Sequence, residues 1–204
     1  MSLEEIAKKM CAKGRGILAA DESTGTMEKR LKSVGIESTE KTRLNFRETL
    51  FQSKAMKEFI GGVILFDETL RQKSSNGISI PDLISKNNSI PGIKVDKGAK
   101  LLAGSNEEKI TEGLDGLRER LMEYNKLGAK FTKWRAVYSI GKNHPSTQCI
   151  KSNAHALARY AALCQDSNIV PIVEPEVLMD GSHTIETCYE VTKRALNIVF
   201  EQLL

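Results

Sequence analysis

Five short apolar runs punctuate the chain: GRGILAAD (14–21), GGVILFDE (61–68), PGIKVDKG (91–98), AKFTKWRAV (129–137) and NIVPIVEPE (168–176). Each is rich in branched or aromatic residues and follows a Gly, Pro or polar break, the pattern of a strand. The segments between them carry a helical period. TEKTRLNFRETLF (39–51) opens on Thr39 and spaces Leu44 with Phe51, and Phe46 with Leu50, for an apolar face. GLDGLRERLMEYNKLG (113–128) places Leu114, Leu117 and Leu121 together and stops at Gly128. Ala154, Leu157, Ala161 and Cys164 line one side of a helix within 146–168. A last long helix spans 185–204, with Val191, Ala195, Ile198 and Leu203 on its apolar side. A further helix follows DEST, with Met27, Leu31 and Val34 on one face.

Strands alternate with helices, and no linker divides them, so the expectation is one domain over 1–204 of α/β class with a parallel sheet. An open doubly wound sheet and a (β/α)8 barrel both fit that alternation. The polar residues decide between them. Lys94 and Asp96, Lys133 and Arg135, and Glu174 and Glu176 are pairs two apart near strand ends, and Asp21 closes the first run. Residues i and i+2 of a strand share a face. Charges repeated this way have nowhere sensible to go in an open sheet, whereas in a barrel they converge on one mouth, where barrel enzymes keep their chemistry. No GxGxxG or GKS/T phosphate loop supports the nucleotide-binding alternative. The expected fold is therefore the TIM (β/α)8 barrel family, with about the first five β/α units present.

Converging charges cost several kcal/mol each unless paired. Lys94, Lys133 and Arg135 must then neutralise Asp21, Asp96, Glu174 and Glu176, and their protonation becomes coupled, as acid/base work requires. Ser23, Thr24 and Thr26 beside Gly25 sit at a helix start with Lys29 and Arg30 one turn on. That grouping reads either as a plain N-cap or as an anion site, and its closeness to Asp21 favours a phosphorylated small molecule.

Composition narrows the partners. A net charge of +4 and 5% aromatics give no basic block or stacking surface for nucleic acid. No run approaches the roughly 18 apolar residues of a membrane span. Cys11, Cys149, Cys164 and Cys188 are scattered without a CxxC pair, and the N-terminal MSLEEIAKKMCAKG is charged and amphipathic rather than a signal peptide, so a cytoplasmic chain with reduced thiols is expected. His144, His155 and His183 lack metal-ligand spacing.

ILAADESTGT, GGVILFDETL, GIKVDKG, FTKWR and VPIVEPE together resemble, in order and spacing, the amino-terminal part of class I fructose-1,6-bisphosphate aldolases, along essentially the whole chain. The resemblance implies a (β/α)8 barrel in a homotetramer that cleaves fructose 1,6-bisphosphate reversibly to dihydroxyacetone phosphate and glyceraldehyde 3-phosphate through a lysine Schiff base, without metal or other cofactor. It implies that Glu174 exchanges protons around carbinolamine formation and dehydration. Asp21 would hold the nucleophilic lysine and the substrate C4 hydroxyl. Lys133 would stabilise charge beside the carbinolamine, with Arg135 as its neighbour, and Glu176 and Lys94 would complete the site, Lys94 also placed for a phosphate. Ser23 and Thr26 match phosphate contacts, Thr26 standing where many members have Ser, and Arg30 and Arg43 match residues implicated in substrate binding. Cytoskeletal partners are known for some relatives.

The family's Schiff-base lysine lies in an LLKPN-like motif on the sixth strand, and no lysine among these 204 residues matches it; Lys193 falls on a helix. Five strands cannot close an eight-stranded barrel, so the first and fifth are expected as raw edges. The leading reading is thus part of an aldolase, inactive as this segment alone. The alternatives are a catalytically dead short product acting as an interaction or regulatory protein, and a different barrel enzyme using Lys133 as its amine.

Overall fold

A computed structural model describes residues Met1–Leu204. The elements run α1 (Leu3–Met10), β1 (Gly16–Ala20), α2 (Thr24–Ser33), α3 (Glu40–Phe51), α4 (Lys54–Phe59), β2 (Ile60–Leu65), α5 (Asp67–Arg71), α6 (Ile80–Lys86) and β3 (Ile90–Lys94). They continue with β4 (Ala99–Leu101), β5 (Lys109–Thr111), α7 (Leu117–Lys126), β6 (Phe131–Tyr138), α8 (Thr147–Asp166), β7 (Val170–Val177) and α9 (Ile185–Leu203). All five predicted strands form and join one sheet in the order β1-β2-β3-β6-β7, with β1 and β7 at its edges. β1 pairs parallel with β2, and β2 with β3. A doubly wound sheet reverses its strand order at a switch point. Here the long strands follow one another without reversal, the order of successive strands in a (β/α)8 barrel.

The chain divides into two compact units. The first comprises Met1–Lys94, Met122–Thr132 and Asn168–Val170. Its core is a layer of Val63, Leu65, Ile93 and Phe131, none exposed. Two strand glycines are required by close approach. A Cβ at Gly61 would run into the Met10 carbonyl at the end of α1, and one at Gly92 into the fully buried Phe131 ring. Phe131 has no free space to retreat into, because interiors are close-packed.

The second unit comprises Val95–Leu121, Lys133–Ser167 and Pro171–Leu204. Along β6 burial alternates with period two: Thr132, Trp134, Ala136 and Tyr138 are buried, while Lys133, Arg135 and Val137 are partly open. The buried face packs under α8, where Trp134 and Tyr160 lie with ring centroids 5.4 Å apart. Tyr160 also donates its hydroxyl to the Ile172 carbonyl of β7 at 3.2 Å. Asn153, fully buried on α8, accepts from Thr111 N–H and donates to the Lys109 and Cys149 carbonyls, fixing the antiparallel β4–β5 hairpin. α8 buries Ala154, Leu157, Ala161 and Cys164, the face its periodicity predicts.

Two predicted faces are corrected. On α3 the buried residues are Arg43, Arg47, Glu48 and Phe51, whereas Phe46 and Leu50 are exposed and Leu44 only half-buried. The hydrophobic pattern misled because charged partners await the opposite face. On α9 only Ala195 and Val199 are buried; Val191 and Ile198 are half-buried and Leu203 is exposed. Apolar residues occur all round that helix, so spacing alone selects no face. Val34, expected on the buried side of α2, is an exposed C-cap residue before Gly35. The sequence reading did not resolve α4, α5, α6 or the β4–β5 hairpin, each too short to display a period.

Gly92→Ala is expected to destabilise by about 1–3 kcal/mol through overpacking against Phe131. Urea unfolding checks this, with a lowered midpoint at unchanged slope as the predicted result.

Candidate active site

In the second unit, the open face of β6 meets charged partners on β7. Lys133 Nζ lies 3.2 Å from Glu174 Oε2, with side chains 13% and 32% exposed. Arg135 Nε donates to Glu176 in a short contact. The alternation of two strands thus yields two adjacent ion pairs from LysXArg and GluXGlu. The backbone beneath them is fastened on both sides. Asp96, buried at the turn after β3, accepts from Arg135 N–H at 3.3 Å and Gly98 N–H at 3.0 Å. Thr111 Oγ1 donates to the Arg135 carbonyl at 2.8 Å.

Burial raises the Glu174 pKa above the usual carboxylate range, and the repulsion of Glu176 adds to it; the Lys133 charge and hydrogen bond pull the other way without cancelling the shift. The hydrogen bond to Glu176 raises the Arg135 pKa. A half-buried carboxylate that holds its proton more firmly than usual, beside an ammonium group, is suited to passing a proton to and from a reacting oxygen.

In the first unit, Asp21 directly follows β1 and begins the turn into α2. Ser23 is the N-cap of α2, its Oγ accepting from Thr26 N–H at 3.3 Å and lying 3.1 Å from the Thr26 hydroxyl. Both hydroxyls are therefore at an exposed helix start, where the local geometry is an N-cap. Lys94 is the half-buried last residue of β3. Arg30 pairs with Glu22. Arg43 makes a two-pronged bond to Glu68, Nε at 2.9 Å and a terminal nitrogen at 2.6 Å, and also donates to Ser38 Oγ. Arg30 and Arg43, expected to contact substrate, thus already have carboxylate partners within the chain. The guanidinium of Arg43 holds the Glu68 carboxyl below its ordinary range.

Asp21, Ser23, Thr26, Arg30, Arg43 and Lys94 belong to the first unit, and Lys133, Arg135, Glu174 and Glu176 to the second. Sequence reasoning passed over Arg47, which is only 1% exposed and donates to Thr69 and to the Glu22 carbonyl. The available signal was Arg43 and Arg47 four apart on one helix face, with Glu22 and Glu68 each just past a strand. No helix is long and apolar enough to cross a membrane.

With this geometry in place, comparison with known proteins is specific. The Glycolytic family, described as fructose-bisphosphate aldolase class-I, matches residues 2–204. "Probable fructose-bisphosphate aldolase class 1" of Xanthomonas axonopodis pv. citri is 57% identical over 201 residues, covering 98% of this chain and 60% of the relative. "Fructose-bisphosphate aldolase 6, cytosolic" of Arabidopsis thaliana is 53% identical over 93% of this chain and 53% of its own length. The solved structure of the Plasmodium falciparum aldolase, in complex with TRAP and a small molecule inhibitor, superposes with a TM-score of 0.96 at 49% identity, over 98% of this chain and 58% of that one. The chain belongs to the class I fructose-bisphosphate aldolase family. It spans about 60% of the length of the bacterial relative and 53% of the plant one.

The Glu174 environment generates a titration test. A folded-state pKa above the unfolded one contributes stability below the unfolded pKa, and that contribution is lost as pH rises through the folded value. Carboxyl carbon NMR should therefore place the Glu174 midpoint above the 4.5 of a free glutamate. Lys133→Met should move it higher still, because the largest opposing influence is removed.

Proposed function

We propose that the protein to which this chain belongs is a class I fructose-bisphosphate aldolase, cleaving fructose 1,6-bisphosphate reversibly to dihydroxyacetone phosphate and glyceraldehyde 3-phosphate. The observation that carries the reading is the Lys133–Glu174 pair, 3.2 Å apart, with burial dominating the Glu174 environment. In a Schiff-base mechanism a lysine amine adds to the ketose carbonyl and the resulting carbinolamine loses water. Glu174 supplies the proton that lets hydroxide leave as water, and takes a proton back when the iminium is hydrolysed. The Lys133 ammonium stabilises negative charge on the carbinol oxygen as it develops. Asp21 holds the C4 hydroxyl, whose proton must depart as the C3–C4 bond breaks, and Glu176 braces Arg135 beside Glu174.

Ser23 and Thr26 at the start of α2, with Lys94, bind phosphate. Arg30 and Arg43 act on substrate either by exchanging a carboxylate partner for phosphate or by holding Glu22 and Glu68 in place. Arg135 adds positive charge beside Glu174 and Glu176. Membership of the family supports a homotetrameric assembly, and the cytosolic plant relative supports a cytoplasmic location. Cytoskeletal partners, known for some relatives, extend the analogy to protein binding.

The nucleophilic lysine matches none of the lysines present here, so the test uses the protein translated from the complete gene. Borohydride reduction in the presence of dihydroxyacetone phosphate should leave a covalent adduct on a lysine outside residues 1–204. Glu174→Gln should lower kcat by about 10²–10⁴-fold. No adduct together with no turnover would favour the dead interaction protein; an adduct on Lys133 would identify a different Schiff-base enzyme.

A further inference from the structure

Arg47 is the most buried cation of the chain's first unit, and the roles above leave it unused. Its side chain reaches two segments beyond its own helix. From α3, one terminal nitrogen donates to Thr69 Oγ1 at 2.7 Å, in α5, the short helix that follows β2. The other donates to the Glu22 carbonyl at 2.6 Å, in the turn after β1, and lies 3.6 Å from the Glu22 carboxylate. The guanidinium carbon stands 6.0 Å from the centroid of the Phe66 ring. Four residues earlier on the same helix face, Arg43 grips Glu68, the neighbour of Thr69.

Stability alone does not account for this arrangement. Arg47 Nε and Glu22 Oε2 are buried without a direct hydrogen bond. Breaking a buried pair is costly, yet replacing it entirely with apolar side chains is often neutral or stabilising. An ordinary helix core would use leucines here, and α3 instead leaves Phe46 and Leu50 outside while taking Arg47 in. What an arginine adds is direction: a planar fork with donors fixed at set angles, which neither leucine nor lysine reproduces. Here the fork bonds a backbone carbonyl. It thereby restrains the peptide that joins Glu22 to Ser23, the link between Asp21 and the α2 N-cap.

We infer that Arg47 is a positioning residue: its fork locks the Glu22 peptide and so sets Asp21 and the Ser23–Thr26 hydroxyls in the orientation the sugar bisphosphate requires. The inference rests on the aldolase reading for its substrate, while the restraint on the turn stands independently. Arg47 touches no substrate and acts through the backbone of its neighbours.

The decisive variant is Arg47→Lys, which retains the charge and loses the fork. Two readouts in the full-length protein are compared with wild type. Amide hydrogen exchange at Thr26 and Met27, whose N–H groups are held by Ser23, should quicken about tenfold while the strand amides of β2 keep their protection. Turnover per borohydride-trapped site should fall about tenfold with KM changed less than twofold, the signature of an interaction realised in the transition state. Counting trapped sites removes any contribution from unfolded molecules. If Arg47→Lys loses protection throughout, Thr69→Val decides, since it leaves Arg47 in place and removes the acceptor that steadies it; the same selective loss, smaller in size, is expected. Wild-type exchange at Thr26 and Met27 together with wild-type turnover in a folded Arg47→Lys protein overturns the inference. So does selective quickening without any loss of turnover per site. A wild-type protein without aldolase turnover overturns the proposed function instead, and the exchange measurement still reports whether Arg47 holds the turn.

Discussion

An extended backbone sends alternate side chains to opposite faces, and the placement of charge in the second unit depends on that constraint in β6. Trp134, Ala136 and Tyr138 are drawn against α8 by burial, worth about 1.5–3 kcal/mol for a large apolar side chain. Lys133 and Arg135, at the alternate positions, are carried to the other face. A one-residue slip would exchange the two sets, placing ammonium and guanidinium groups under the helix. Hydrophobic packing on one side of the strand therefore selects the register that places the charges on the other. Tyr160 extends the control to β7 by pairing with Trp134 and bonding the Ile172 carbonyl, two residues before Glu174.

The same logic separates what was legible in the sequence from what was not. The five long strands declare themselves as apolar runs after Gly, Pro or polar breaks, and the buried face of α8 by its helical period. The charge pairs were legible as LysXArg and GluXGlu on period two. The partners within the first unit were not. Arg43 reaches Glu68 across 25 positions and Arg47 reaches Glu22 across 25, and no local pattern announces such pairings. Hydrophobic spacing on α3 pointed to Leu44, Phe46 and Leu50, and it failed because buried charge, once partnered, can occupy a face that propensity assigns to apolar residues.

The two units solve the problem of placing charge differently. In the second, the ion pairs remain partly open, with Arg135 and Glu176 each more than a third exposed, so solvent screens them and their contribution to stability is small. In the proposed function their value is chemical, as groups able to rearrange around a reacting oxygen. In the first, the Arg43–Glu68 pair and Arg47 are largely closed over, and the acceptors of Arg47 lie in the turn after β1 and in α5, each just past a strand. Directional bonds there hold backbone rather than substrate.

The central claim of the proposed function is that Glu174, paired with Lys133, passes a proton to and from the carbinol oxygen. Timed borohydride trapping of the dihydroxyacetone phosphate adduct, compared between wild-type and Glu174→Gln full-length protein, tests it most directly. The account predicts that trapping slows by about 10²–10⁴-fold in Glu174→Gln while the final number of trapped sites is unchanged. Equal trapping rates in the two proteins would contradict it.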